Sequence, residues 1–242
     1  MDRGYFATTA SYPPAVLRSL AAVALLACTA VACGQHESPA AKTLHERQNQ
    51  ARQVASRAGL SPAVQDFLAL YATAADNSFT VTYGPSAAGT SIVLVQDPPL
   101  RRVDLVAPPV TRSVFVTAQG TYDCALDNQK WACEQAQQQE GPPGLLAPAD
   151  IDRTVAELQA AKTNYTFAVT DMTIAGTRTR CLVTTPRPGV AGGGSTLCLS
   201  PRGAVLLVEG AGNPLRAVKY STSVDTRQLA LPATPEPPPI KP

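Results

Sequence analysis

The sequence predicts an α+β fold, a curved antiparallel half-barrel of about nine strands with two amphipathic helices on its concave face. Two segments carry apolar residues at helical spacing, and about nine short β-rich segments alternate apolar with polar residues. The links between successive β segments are short and of the antiparallel kind, so the strands pair with their sequence neighbours. With 242 residues, 45% hydrophobic and only 5% aromatic, the chain suits one core with appendages.

The first helix opens at Ser61, an N-cap, followed by Pro62 in the first turn. Val64, Phe67, Leu68 and Tyr71 then fall at i, i+3, i+4 and i+7, one apolar stripe that ends near Ala75. Strands are expected over Ser78–Gly84, Thr90–Gln96, Arg101–Ala107 and Thr111–Cys124. In the third of these, Val103, Leu105 and Ala107 face one way and Arg102, Asp104 and Val106 the other. After the loop EGPPGLLAPA, Asp150 caps a second helix with Ile151, Val155 and Leu158 on one face. Strands resume over Tyr165–Asp171, Thr177–Thr185, Ser195–Ser200, Gly203–Gly210 and Leu215–Val224. Ser200-Pro201-Arg202-Gly203 carries the type I turn signature and predicts a tight reversal. A sheet of this many strands curls by its own twist, and two one-sided helices would fill the hollow.

The ends read differently from the middle. Behind Arg3 and Arg18, an apolar run from Leu20 to Ala32 is too short for a comfortable membrane span and fits the apolar region of an export signal. Residues 1–32 are therefore expected to be a signal peptide. The run ends twice in small residues and cysteine, LLAC at Cys28 and AVAC at Cys33, and both are similar to the lipobox of bacterial lipoproteins. That resemblance implies an acylated cysteine, a lipid anchor and an extracytoplasmic protein held at the cell membrane. LLAC has the usual leucine, but cleavage before Cys33 leaves four further cysteines, an even number that can all pair, which favours Cys33 with Cys28 as runner-up. Residues 33–59 are polar and nearly free of large apolar side chains, as expected of a tether. The second half, Ala40 to Ala58, has good helix formers and Gly59 at a C-cap position, the composition of a fraying helix. The domain is expected over 60–232, and the proline-rich 233–242 is expected to stay extended and unpacked.

In YDCALDNQKWACEQ, Cys124 and Cys133 have eight residues between them. Zinc sites use closer pairs with further Cys or His, and thioredoxin-like sites use Cys-x-x-Cys, so a disulfide in an oxidising compartment is the simplest reading. The spacing fits a hairpin turning at Asp127-Asn128-Gln129, with Tyr122 and Trp131 as packing residues or, alternatively, an aromatic ligand platform. Cys181 and Cys198 flank a Pro/Gly loop and can face each other across neighbouring strands. Of three possible connectivities, the local one is expected, 124 with 133 and 181 with 198.

Several function classes lose support. Net charge is +2, with 20 basic and 18 acidic residues and no run of five of one sign, which argues against a nucleic-acid partner. Both histidines, His36 and His45, precede the expected domain, so no Ser-His-Asp or Cys-His site assembles within it and no catalytic residue is expected. The GGGS at Gly192–Ser195 is neither a nucleophile elbow nor a phosphate loop. No metal and no cofactor are expected.

This layout of signal, tether, helices and antiparallel strands resembles the bacterial periplasmic lipoprotein carriers and the related mycobacterial lipid-transfer lipoproteins. The resemblance implies a half-barrel closed by helices over an apolar cavity for acyl chains, with Phe67, Leu68, Tyr71, Val155 and Leu158 as candidate cavity lining. Two functions follow as expectations. The first is an envelope lipoprotein that binds or carries a lipid or other amphiphile. The second is a non-enzymatic envelope module with a solid core that meets a protein partner.

Overall fold

The computed structural model describes residues 44–85, 89–107, 110–136, 150–210 and 214–235. The expected signal peptide, Cys28, Cys33, His36 and the loop at Gly144 lie outside these residues, as does the end of the proline-rich tail. Among the described residues there are three α-helices: α1 (Leu44–Arg57), α2 (Pro62–Ala72), continued by a 3-10 turn at Thr73–Asp76, and α3 (Ile151–Ala161). The strands are β1 (Phe79–Tyr83), β2 (Ser91–Asp97), β3 (Leu100–Ala107), β4 (Val110–Thr117), β5 (Gly120–Asp127) and β6 (Lys130–Gln135). After α3 come β7 (Tyr165–Ile174), β8 (Thr177–Pro186), β9 (Ser195–Leu199), β10 (Val205–Glu209) and β11 (Leu215–Ser221).

All eleven strands form one antiparallel sheet in the order β6-β5-β4-β3-β2-β1-β11-β10-β9-β8-β7. It consists of two meanders, β1–β6 and β7–β11, joined where β1 pairs with β11. Two expectations are corrected here. The strand number exceeds nine because the run Thr111–Cys124 contains a reversal at Ala118-Gln119 and the cysteine hairpin adds β6. No Gly, Pro or Asn sits at the centre of that reversal. Instead the Thr117 hydroxyl accepts from the Gln119 N–H at 3.1 Å, and Gly120 takes a φ of +141°.

The half-barrel is the second correction, since the sheet is open and not strongly curled. Curvature needs bulges, and the register shifts fall at only two places, between Thr82 and Tyr83 on the β1–β11 ladder and between Val205 and Leu207 on the β9–β10 ladder. The other ladders run in continuous register.

Helix α1 corrects the tether reading of residues 44–57. Ala51 and Ala55 are 1% and 0% exposed; Ala51 packs with Ala69 and Ala72 of α2, and Ala55 joins the main helix core. Alanine faces let two helices approach closely, a contact that a count of large apolar residues does not register. The helix ends as Gly59 predicts. With φ +69°, its N–H donates to the Ser56 carbonyl at 2.9 Å and the Leu60 N–H to Ala55 at 3.1 Å, a Schellman motif. Ser61 caps α2 by position alone, without a side-chain hydrogen bond, whereas the Asp150 carboxylate accepts from the Arg153 N–H at 3.0 Å at the start of α3.

Helix α2 packs against β7 and β8, and Val64, Phe67 and Leu68 meet Val155 of α3 and Leu182, Leu199 and Val205 of the sheet. The turn at Ser200–Gly203 sits under the end of α2. The Gly203 N–H donates to the Ser200 carbonyl at 2.9 Å, closing the expected reversal. Gly203 has φ +78°, and a Cβ there would lie 2.5 Å from the Leu70 carbonyl oxygen and 2.7 Å from the Ala74 nitrogen. Glycine is thus required twice, by the turn and by the approach of the helix. At the other end of the chain, Leu231 and Ala233 pack on Phe115, Cys124 and Cys133, so the start of the tail is seated rather than unpacked.

Gly203→Ala is expected to lower stability by about 3 kcal/mol through strain and overlap with α2, measured by urea unfolding. The β5–β6 turn offers the opposite change. Asn128 and Gln129 have φ of 47° and 63°, a type I′ arrangement that favours Asn-Gly. Gln129→Gly should therefore raise stability by about 0.5–1 kcal/mol in the same assay.

Candidate functional site

Cys124 lies opposite Cys133 on β5 and β6, and Cys181 lies opposite Cys198 on β8 and β9. Both pairs form disulfides, with Cα atoms 4.1 and 4.0 Å apart, the close spacing of facing residues in an antiparallel ladder. The local connectivity is the one the spacing predicts, and two disulfides point to an oxidising, extracytoplasmic compartment. No helix among the described residues is long and apolar enough to cross a membrane. Tyr122 and Trp131 share a cluster with Phe115 and the first disulfide, and the chain's own Leu231 and Ala233 pack against it. They therefore act as packing residues at this place.

The candidate cavity residues lie together. Phe67, Leu68 and Val155 are buried, and Tyr71 and Leu158 half-buried, in one cluster with the apolar side chains of β7–β10. Val155 also reaches a shallow groove between α1 and α3; the other four line none of the clefts described below.

Above this core sits a polar clamp. Arg101, 8% exposed, donates through Nε to the Gln96 side-chain oxygen at 2.7 Å and also through its second Nη. The Gln96 amide in turn donates to the Ala74 carbonyl and, at 2.9 Å, to that of Asn77, which fixes the 3-10 turn to β2. Burial draws the Arg101 guanidinium down to about 10, so it remains a cation at neutral pH, and burial pushes the Tyr71 and Tyr83 phenols up, so they remain neutral. The buried Tyr83 hydroxyl donates to the Val205 carbonyl at 2.7 Å, tying β1 to β10. This arrangement joins helix to sheet and has no open face for a reacting group.

Two surfaces among the described residues are candidates for a ligand. The first is a cleft of about 600 Å³ between α1, α2 and the strands β7–β9, within the usual size range of small-molecule sites. Arg52 of α1 pairs with Asp66 of α2 at 2.9 Å, and Arg178 of β8 pairs with Asp171 of β7 at 2.7 Å. Arg180 lines the same cleft, and its guanidinium has no hydrogen-bond or ion-pair partner among the described residues. Leu70, Leu199 and Pro201 supply an apolar wall.

No known protein family matches this chain, and no curated protein matches it.

The second surface is a shelf on the first meander. Register places Ile92 opposite Leu105, Leu94 opposite Val103 and Val103 opposite Val114, so these aliphatic side chains share one face of β2–β4, together with Val116 opposite Arg101. Leu94 and Val103 are buried; Ile92, Leu105, Val114 and Val116 are only half-buried. Neither surface stood out in the sequence. The shelf depends on register across three strands, and the cleft arginines alternate with threonines in TRTRC, a pattern that reads as a solvated strand face.

The two disulfides are separable by loop length. Their cysteines are 9 and 17 residues apart, and in the chain-entropy model both stabilise by about 2–4 kcal/mol. Removing Cys181 and Cys198 together should cost about 0.5 kcal/mol more than removing Cys124 and Cys133 together, read from paired urea-unfolding midpoints of the two double-alanine variants.

Proposed function

We propose that this protein is an exported, membrane-anchored envelope lipoprotein that binds or carries a lipid or related amphiphile. The observation that carries the reading is the aliphatic shelf of β2–β4, where the half-buried Ile92, Leu105, Val114 and Val116 surround the buried Leu94 and Val103, with Arg112 opposite Leu105 and Asp123 opposite Val114 at the margin. A patch in which branched aliphatic groups predominate offers apolar burial, which suits an acyl chain and adds about 25 cal/mol for each Å² of apolar area removed from water. Anchorage through an acylated Cys33, with Cys28 as runner-up, belongs to the same reading and rests on the lipobox-like sequence. The anchor in this reading would put the chain in the oxidising compartment that the disulfides suggest.

A second reading is an envelope module that meets a protein partner and carries no lipid. It is favoured by the close packing of Phe67, Leu68 and Val155, which fill the space between helices and sheet in the second meander.

Native mass spectrometry of the protein purified from its host membrane distinguishes the two. A co-purifying lipid, and uptake of a fluorescent fatty acid that Leu105→Asp reduces at least tenfold while circular dichroism stays unchanged, is the expected result. A clean ligand-free mass with no uptake by the wild-type protein would overturn the lipid reading in favour of the second. Metabolic labelling with a fatty-acid analogue tests the anchor separately. Label should be lost in Cys33→Ala, and label retained by the Cys28→Ala/Cys33→Ala double variant removes the lipoprotein assignment.

A further inference from the structure

We propose that the cleft between α1, α2 and β7–β9 is a binding site for a monoanionic oxyanion group, a phosphodiester or carboxylate borne on a small apolar body, with Arg180 as the residue that pairs with it. This site is distinct from the shelf, and its ligand is set by charge rather than by aliphatic burial.

Charge within the cleft comes first. Three guanidinium groups, Arg52, Arg178 and Arg180, face two carboxylates, Asp66 and Asp171. The Arg52–Asp66 and Arg178–Asp171 pairs satisfy one another, and Arg180 is left with no partner among the described residues, so the cleft carries one uncompensated positive charge. One singly charged anion completes it. A guanidinium presents a fixed fork of N–H donors that matches the two oxygens of a phosphodiester or carboxylate, a charge-assisted and frequently bidentate contact.

Position comes second. Arg180 lies opposite Leu199 in the β8–β9 ladder, and the next pair along is Cys181 opposite Cys198. The disulfide therefore locks the register that sets Arg180 beside the apolar wall of Leu199, Leu70 and Pro201. On the same strand, Thr179 is buried and its hydroxyl donates to the Met172 carbonyl at 2.9 Å, which holds the stem below Arg180 against β7. The two ion pairs brace the walls, α1 to α2 and β8 to β7. The site thus combines a charged fork on a rigid strand, an apolar side for the body of the ligand and a volume of about 600 Å³.

Isothermal titration calorimetry on the full mature chain tests the proposal with three probes: dihexanoylphosphatidylglycerol below its micelle concentration, the zwitterionic dihexanoylphosphatidylcholine and inorganic phosphate. The glycerol lipid is expected to bind at least tenfold more tightly than the choline lipid, and Arg180→Gln to abolish that preference. Arg180→Lys should retain part of it, because the charge stays and the fork is lost. Competition by inorganic phosphate would assign the site to a free anion, and its absence would assign it to the anionic group of an amphiphile; both keep the oxyanion chemistry. Equal binding of the two lipids, no binding of the glycerol lipid or of phosphate, or an Arg180→Gln variant that binds as the wild type does would overturn it. Loss of fatty-acid uptake at the shelf while the preference for the glycerol lipid over the choline lipid persists, or the reverse, reads failure of the shelf and failure of the cleft apart. Arg216→Gln, an exposed arginine on β11 away from the cleft, serves as the control for lost surface charge.

Discussion

Val81 and Tyr220 face each other in the ladder between β1 and β11, the first and last strands of the sheet. Among the described residues this is the one strand pairing that is not between sequence neighbours, and it converts two meanders into one sheet. Each meander forms by short-range hairpins, but the β1–β11 ladder must close nearly the whole domain, so its loop-closure cost is the largest in the fold. What offsets that cost is local to the seam. Phe79, Val81 and Tyr83 are all buried on β1, the Gly84 N–H reaches the Arg216 carbonyl at 3.0 Å, and the Tyr83 hydroxyl spans past β11 to the Val205 carbonyl on β10. Because burial keeps that phenol neutral, the bond is a donor contact across the physiological pH range.

The disulfides do not share this task. Each bridges neighbouring strands within one meander, β5 to β6 and β8 to β9, where pairing is already short-range. The first ties the edge strand β6 and the second joins the second and third strands from the opposite edge, and both leave the central join to burial and hydrogen bonds. Helices enforce the same division. Packing of α2 on β7 and β8 builds the second meander, and the Gln96–Arg101 clamp on the 3-10 turn is the polar contact that brings the first meander under the same helix.

What the residues disclosed on their own was whatever depends on short separations. The stripe of Val64, Phe67, Leu68 and Tyr71, the cap at Asp150, the glycine at 59 and the two cysteine pairs all follow from spacings of a few to seventeen residues, and all are where those spacings put them. The errors share a cause of the opposite kind. Ala51 and Ala55 look polar-neutral in a charged segment and become core only through other elements, Ala51 against the equally small Ala69 and Ala72 and Ala55 within the cluster of Val64, Phe67 and Leu68. The reversal at Ala118-Gln119 is set by the Thr117 side chain folding back on its own turn, without the usual punctuating residues. Curl was inferred from strand number, yet curvature follows bulges, and those are confined to the seam and to β9–β10.

The cleft shows why a candidate site can be invisible in one dimension and plain in three. Exposed ion pairs such as Arg52–Asp66 and Arg178–Asp171 contribute roughly 0–1 kcal/mol each, so stability alone gives little reason to gather three arginines and two aspartates around one hollow. Gathered there, they do something that scattered pairs do not. They balance each other down to a single charge on Arg180 and orient the walls on either side of it. Arg180 is also one register step from Cys181, so the bond that secures β8 to β9 fixes the height at which its guanidinium meets the apolar wall. A cysteine pair that reads along the chain as a staple for the sheet becomes, across the strands, the support of the residue that carries the cleft's uncompensated charge.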